Sequence, residues 1–229
     1  MKFDTVFWDL DGTITDSAPG ILASVRYALE KVGRCEGEKV REYTDEELNF
    51  FIGPPLIDSF RKLLECDDET SRQCLKWYRE FYTGSTFNLQ HSTSLPGMLM
   101  NSVYPGVPET LAALKAAGVK NVLATAKPEV FAKKILEHFD LARYFDFIHG
   151  ATLDESRNKK HQVIAWAFEN SGDVGRVVMV GDRENDVGGA KVNSIPSIGV
   201  LWGYGDEKEL TEAGADRLIA KPEELTELI

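Results

Sequence analysis

The chain has 229 residues, room for one large domain or two small ones. Hydrophobic residues make up 43% and charged residues 28%, globular values that exclude disordered, collagen-like and disulfide-framework classes. Asp plus Glu number 37 against 26 Lys plus Arg, a net charge of −11, which repels phosphate polymers and argues against a nucleic-acid-coating role while leaving room for a small anion in one positive pocket.

Cys35, Cys66 and Cys74 are an odd number without C-x-x-C spacing, so neither a disulfide framework nor a zinc site is expected. No stretch reaches the roughly 18 apolar residues of a membrane span. Met1-Lys2-Phe3-Asp4 lacks the apolar core of a signal peptide. The expected compartment is the cytoplasm, with no membrane partner.

In chain order, Thr5-Val6-Phe7-Trp8 is a short β-branched and aromatic run halted by Asp9-Leu10-Asp11-Gly12, which reads as a strand. Residues from about 15 to about 100 contain no convincing strand. Helical spacing covers Pro19–Val32, Asp45–Phe51, Leu56–Leu64 and Asp68–Tyr82. Gly84–Ser102 is polar, punctuated by Pro96 and Gly97, and reads as an irregular loop. From Tyr104 onward helices and strands alternate. Helices are predicted at Pro108–Ala117 (stopped by Gly118), Pro128–Phe139, Gln162–Glu169 and Asp186–Val192. Strands are predicted at Asn121–Thr125, Phe145–Ile148, Arg176–Val180 and Ser197–Val200.

Apolar strand runs without alternation imply a sheet covered on both faces, hence parallel. The fold class is therefore α/β, a doubly wound parallel sheet with an inserted helical cap domain. The expected boundaries are residues 1–14 and 104–229 for the core and 15–103 for the cap.

The sharpest motif is Asp9-Leu10-Asp11-Gly12-Thr13, two carboxylates where a buried strand runs out. In an open α/β sheet, ligands bind at the carboxyl ends of the strands. A strand end alone explains one aspartate in a turn, not two flanking a leucine. A second acidic pair follows Val178-Met179-Val180, at Asp182 and Asp186. In a parallel sheet all four aspartates converge on one edge. Unit charges about 4 Å apart repel by about 4 kcal/mol at an effective dielectric of about 20, so such a cluster calls for a cation. Carboxylate ligation favours a hard ion, with Mg²⁺ fitting best. Asp186 alone also fits a helix cap. Thr125-Ala126-Lys127-Pro128 places a hydroxyl at a strand end, followed by amides at a helix start, suited to a phosphate oxygen or to a simple cap. Asn158-Lys159-Lys160-His161 offers an ammonium near the next helix.

Together these residues resemble the haloacid dehalogenase superfamily of phosphohydrolases, with all four of its motifs in order along the whole chain. Asp9–Thr13 resembles the first motif, Thr125 the second, Lys160 the third, and Gly181-Asp182 through Asp186 the fourth. The inserted helical region looks like the first type of cap in that family. Phe51-Ile52-Gly53-Pro54-Pro55-Leu56, Lys127–Ala132 and Val180–Arg183 look like its phosphoglycolate phosphatase and 5′-nucleotidase-like branch.

The resemblance implies a Mg²⁺-dependent phosphomonoester hydrolase acting on a small phosphorylated substrate such as phosphoglycolate or a nucleoside monophosphate. It implies Asp9 as nucleophile, forming an aspartyl phosphate, and Asp11 as general acid and then base. Mg²⁺ would be held by the Asp9 carboxylate, the Asp11 backbone carbonyl and Asp182, with Asp186 beside them. Phosphate would be held by Thr125 and the backbone around Leu10 and Ala126. The charge-balancing lysine would be Lys160 or Lys159, Lys160 being preferred because it stands three residues before Val163. Gly53 and Pro54, in a stiff loop of the cap, would touch the leaving group. Two departures stand out. Ala126 takes a position that is often polar in relatives, and Gly84–Ser102 is longer than usual for the branch.

Three rival readings share parts of this pattern. A phosphomutase would pass the phosphoryl group to a sugar hydroxyl instead of water. Haloacid dehalogenation would not need Asp11. A non-catalytic, aspartate-phosphorylated signalling module would lack the helical insertion. The remaining features read as structural. His91, His138, His149 and His161 are scattered, and Trp77, Tyr78, Phe81 and Tyr82 fit a cap core. Arg61 and Lys62 are either solvated helix charges or an anion contact. Glu223–Glu227 is a solvated helix face, and neither G-x-G-x-x-G nor a Walker A sequence occurs.

Overall fold

The computed structural model describes residues 3–36, 41–84, 95–154 and 156–228. The chain falls into two compact units, one of Met1–Asp16 with Ser102–Ile229 and one of Ser17–Asn101. In chain order the strands are β1 (Thr5–Trp8), β2 (Thr15–Asp16), β3 (Ser102–Val103), β4 (Lys120–Pro128), β5 (Phe147–Ala151), β6 (Val177–Gly181), β7 (Ser197–Val200) and β8 (Arg217–Ile219). The helices are α1 (Ala18–Glu36), α2 (Asp45–Leu48), α3 (Leu56–Leu64), α4 (Asp68–Thr83), α5 (Val107–Ala116), α6 (Glu129–His138), α7 (Lys160–Asn170), α8 (Glu184–Val192), α9 (Glu207–Ala213) and α10 (Glu224–Leu228).

Six strands form one parallel sheet in the order β5-β4-β1-β6-β7-β8. All four residues of β1 are buried, as a strand in the middle of a two-faced sheet requires. Thr5 pairs with Lys120 on one side and Val177 on the other. Phe7, Val122, Ala124, Val177 and Met179 of the sheet pack against Val163, Ile164 and Ala167 of α7 and Ala190 of α8 in one apolar cluster. Burial of this kind supplies about 1.5–3 kcal/mol per large side chain. The expected α/β class with a parallel sheet is what the chain forms.

Several elements differ from the sequence reading. β2 and β3 make a two-residue antiparallel ribbon, too short to leave a periodic signal. β8 has three residues, of which only Ile219 is buried, so its apolar pattern is lost in polar surroundings. α9 is capped by Asp206, whose carboxylate accepts from the Glu209 amide at 2.7 Å, a cap that the reading passed over. β4 runs on to Pro128 through an irregularity between Thr125 and Pro128, so α6 starts at Glu129 rather than at Pro128.

The helical unit has its own core. Tyr78 and Tyr82 of α4 are buried and stacked 5.2 Å apart, and Phe81 lies 5.3 Å from Tyr27 of α1. Tyr78 and Tyr82 are therefore core, with Phe81 half-buried against Tyr27, while Trp77 is half-buried. The segment read as irregular lies largely outside the described residues, as does His91. Its described end forms a 3-10 turn at Gly97–Leu99, packed on α1. A Cβ on Gly97 would lie 2.5 Å from Ser24 Oγ. Arg61 is taken up by Asp58 at 2.9 Å and Asp68 at 2.7 Å, and the Lys62 ammonium sits over the Phe50 ring. Cys66 and Cys74 are free thiols. Among the described residues no helix is long and apolar enough to cross a membrane.

Candidate active site

The site is built at the carboxyl ends of β1, β4 and β6. Asp9 follows β1 directly, and its amide donates to the Val180 carbonyl at 2.9 Å, which continues the sheet pairing and fixes where the carboxylate begins. The chain then turns sharply. The Leu10 carbonyl accepts from the amides of Ile14 and Thr15, each at 2.9 Å, while the Leu10 side chain is fully buried. Gly12 sits at φ 82°, and a Cβ there would lie 2.1 Å from Asp182 Oδ2. Only glycine meets both demands.

Asp182 follows β6 and is completely buried. Thr13 Oγ1 donates to its Oδ1 at 3.1 Å, and the Tyr204 amide donates to its Oδ2 at 2.8 Å. The loop that supplies this amide must come very close. A Cβ on Gly205 would lie 1.9 Å from the Asp182 carbonyl, and one on Gly203 would lie 2.3 Å from the Gly12 carbonyl. Trp202 Nε1 donates to the Thr13 carbonyl at 2.9 Å, tying the same loop to the first turn. Asp186, in the first turn of α8, accepts from the Arg183 amide at 3.1 Å through Oδ2.

Carboxylate oxygens of Asp9, Asp182 and Asp186 lie within 4.8 Å of one another, and all three residues are buried. The Lys160 ammonium stands among them, 2.6 Å from Asp9 Oδ1 and 2.7 Å from Asp186 Oδ1, and also donates to the Ala124 carbonyl at 3.3 Å. Lys160 is 7% exposed, whereas Lys159 points outward as the cap residue of α7. Burial works against the Lys160 charge, but the Asp186 and Asp9 carboxylates outweigh it and hold its pKa above the ordinary lysine value. Asp182 is driven well above the usual carboxylate range by burial, then by Asp186 and Asp9. Burial also raises Asp186, against the pull of Lys160. One ammonium among three buried carboxylates leaves excess negative charge in an all-oxygen donor set, which suits a hard divalent cation.

Asp11 faces a different partner. Lys127 Nζ lies 2.9 Å from Asp11 Oδ2, with the two side chains 5% and 14% exposed. Thr125 is buried, and its Oγ1 accepts from the Lys127 amide at 3.2 Å. The amides after Thr125 therefore belong to a bulged strand, not to a helix start as the sequence reading had it. Ala126 lies half-buried in that bulge. The core unit thus brings Asp9, Leu10, Asp11, Thr125, Ala126, Lys160, Asp182 and Asp186 to the ends of three neighbouring strands. Gly53 and Pro54 belong to the helical unit, in the loop before α3. Sequence reasoning missed Lys127 and Tyr204 as site residues. The glycines on either side of Tyr204 were the one available signal for that loop.

Two aspartates after the first strand, an acidic pair after β6 and a buried lysine at the ends of neighbouring parallel strands fit an α/β hydrolase of the phosphatase class. The chain belongs to the haloacid dehalogenase-like hydrolase family, whose model matches residues 6–200, and within it the chain is an enzyme of the phosphatase type. It is 35% identical over 211 residues to a 5′-nucleotidase of Pseudomonas aeruginosa, spanning 92% of this chain and 88% of that one. A phosphoglycolate phosphatase of Vibrio parahaemolyticus is 27% identical, over 98% and 95% of the two chains. A solved structure of a predicted phosphatase from Clostridium acetobutylicum superimposes with a TM-score of 0.87 at 40% identity, over 100% of this chain and 98% of that one. The tyrosine-protein kinase PtkA of Mycobacterium tuberculosis is 37% identical over 87% of this chain, which spans 62% of that protein.

Proposed function

We propose that this enzyme hydrolyses a small phosphomonoester, a nucleoside monophosphate or phosphoglycolate, through an aspartyl phosphate on Asp9 and with Mg²⁺ as cofactor. The observation that carries the reading is the separate pairing of the two motif aspartates, Asp9 with Lys160 and Asp11 with Lys127. Two carboxylates in different surroundings can take different roles. The relatives named for 5′-nucleotidase and phosphoglycolate phosphatase activity support the substrate class.

In the first step an Asp9 carboxylate oxygen attacks phosphorus. The bond from phosphorus to the leaving oxygen breaks, and that oxygen takes a proton from Asp11. In the second step Asp11 takes a proton from water, whose oxygen attacks the same phosphorus. The acyl phosphate bond breaks, and Asp9 and inorganic phosphate are released. Asp9, Asp182 and Asp186 would hold Mg²⁺ with help from the Asp11 carbonyl; when bound, the ion neutralises charge between the nucleophile and the phosphoryl oxygens. Lys160 balances the Asp9 charge, and Thr125 Oγ1 with the Ala126 amide orients the phosphoryl oxygens.

The test is a panel of phosphomonoesters assayed with Mg²⁺, with product analysis and trapping of the phosphoenzyme. Release of inorganic phosphate with a labelled Asp9, lost in Asp9→Asn, is expected. Transfer of the phosphoryl group to a sugar or tyrosine hydroxyl instead of water would overturn hydrolysis. Rapid turnover by verified Asp9→Asn would overturn the covalent route.

A further inference from the structure

Lys127 lies in a stretch that resembles one branch of the family but has no role among its four motifs, yet it is among the most enclosed cations of the core unit. Its side chain is 5% exposed and its ammonium lies 2.9 Å from Asp11 Oδ2. The backbone explains how it gets there. A regular strand alternates its side chains between the two faces of the sheet. β4 breaks register with β5 between Thr125 and Pro128, and a bulge re-aims the side chain it carries. The bulge is held from within by the Lys127 amide, which donates to Thr125 Oγ1 at 3.2 Å. It is also held from outside by β5, where a Cβ on Gly150 would lie 2.6 Å from the Lys127 carbonyl.

The two oxygens of Asp11 are not equivalent. Oδ2 is engaged by Lys127, whereas Oδ1 is buried and has no hydrogen-bond partner among the described residues. A buried carboxylate oxygen without a partner is costly, and such oxygens cluster where a reaction will supply one. Lys160 does not serve here, being committed to Asp9 and Asp186.

We propose that Lys127 is a positioning residue for the proton transfers made by Asp11: it anchors Oδ2 from the β4 bulge and so presents Oδ1 to the leaving oxygen and then to water. The inference rests on the phosphomonoesterase reading above, in which Asp11 is the acid and base. Lys127 itself makes no bond to the transferring group. Its effect is therefore confined to steps that need a proton delivered, and it scales with how badly the leaving group needs one.

The experiment measures kcat/KM for wild type, Lys127→Met and Lys127→Arg on a series of aryl phosphates of rising leaving-group pKa, ending in an alkyl phosphate. A ratio between esters does not depend on the fraction of folded enzyme, so a variant that folds poorly is still informative. General acid catalysis contributes about 10²–10⁴-fold, and losing its aim forfeits part of that. In Lys127→Met the alkyl ester is expected to lose about 10–100-fold more than para-nitrophenyl phosphate. Lys127→Arg, which restores a donor, is expected to recover part of the gap. Equal losses on all esters, or no loss on any, would overturn the positioning role while leaving the phosphatase reading intact. A wild-type enzyme that turns over none of the esters and forms no phosphoenzyme would instead sink the phosphatase reading, and this inference with it.

Discussion

Lys160 Nζ stands 2.6 Å from Asp9 Oδ1, both side chains almost wholly enclosed. Lys160 is also the cation that answers Asp186, so removing it leaves the acidic trio uncompensated. Breaking a buried pair by deleting one partner costs about 3–5 kcal/mol. Lys160→Met is expected to lose stability of that order in chelator, and to regain part of it when Mg²⁺ is added. Denaturant titrations with and without the ion check this.

Metal binding has a readout independent of turnover. A ligand that binds only the folded state stabilises it by about 2.7 kcal/mol at 100 times its Kd. Mg²⁺ is expected to raise the melting temperature of the wild type, because three buried carboxylates converge within 4.8 Å. Asp182→Ala is expected to shrink that rise strongly. Equal shifts in both proteins, measured by calorimetry, would remove Asp182 from the metal site.

Gly20 of α1 meets the 3-10 turn so closely that a Cβ on it would lie 1.8 Å from the Gly97 carbonyl oxygen. Backbone cannot yield as a side-chain tip can. Overpacking of a tight contact costs about 1–3 kcal/mol, and Gly20→Ala is expected to reach at least the upper half of that range. The control is Gly188→Ala, where no atom lies within 4 Å of the added Cβ. Chemical denaturation of the two variants compares them directly.

His149 is buried, with Nε2 3.0 Å from Ser171 Oγ. Burial is the main cause that lowers its pKa; Glu129 opposes it, while Arg157 and Lys133 add to it. The folded protein then binds fewer protons at this residue than the unfolded chain does. Stability is therefore expected to fall as pH drops through the unfolded value of about 6.5 and on to the lower folded value, where the loss levels off. In His149→Gln the slope of stability against pH in this window is expected to be shallower. An unchanged slope would assign the acid sensitivity elsewhere.

The sequence disclosed those site residues whose side-chain type is itself the signal. Asp9, Asp11, Asp182 and Asp186 follow apolar strand runs, where a turn or a helix cap accounts for one carboxylate but not for two pairs at neighbouring strand ends. Lys160 was recoverable by its distance from Val163. Lys127 was not, because a lysine next to Pro128 looks like a helix start. Only the bulge turns it to Asp11, and a bulge is a property of pairing with β5 rather than of β4 alone. Tyr204 acts on Asp182 through its amide, a group every residue but proline has, so its identity carried no message. β8 was hidden for a different reason. An edge strand with one buried residue gains its conformation from β7, not from its own pattern.

The position of β1 also sets the order in which the molecule can be completed. Thr5–Trp8 leaves the ribosome well before its partners, Lys120–Leu123 and Val177–Val180. Closing such long loops carries an entropy cost before any pairing returns it, and distant pairings slow folding. The helical unit has no such wait, since α1 and α4 find each other within Ser17–Asn101. During synthesis the strand that leads into Asp9 remains without its sheet neighbours while the helical insertion already has all its parts. Asp9 and Asp182 come within reach of one another only after β6 has been made.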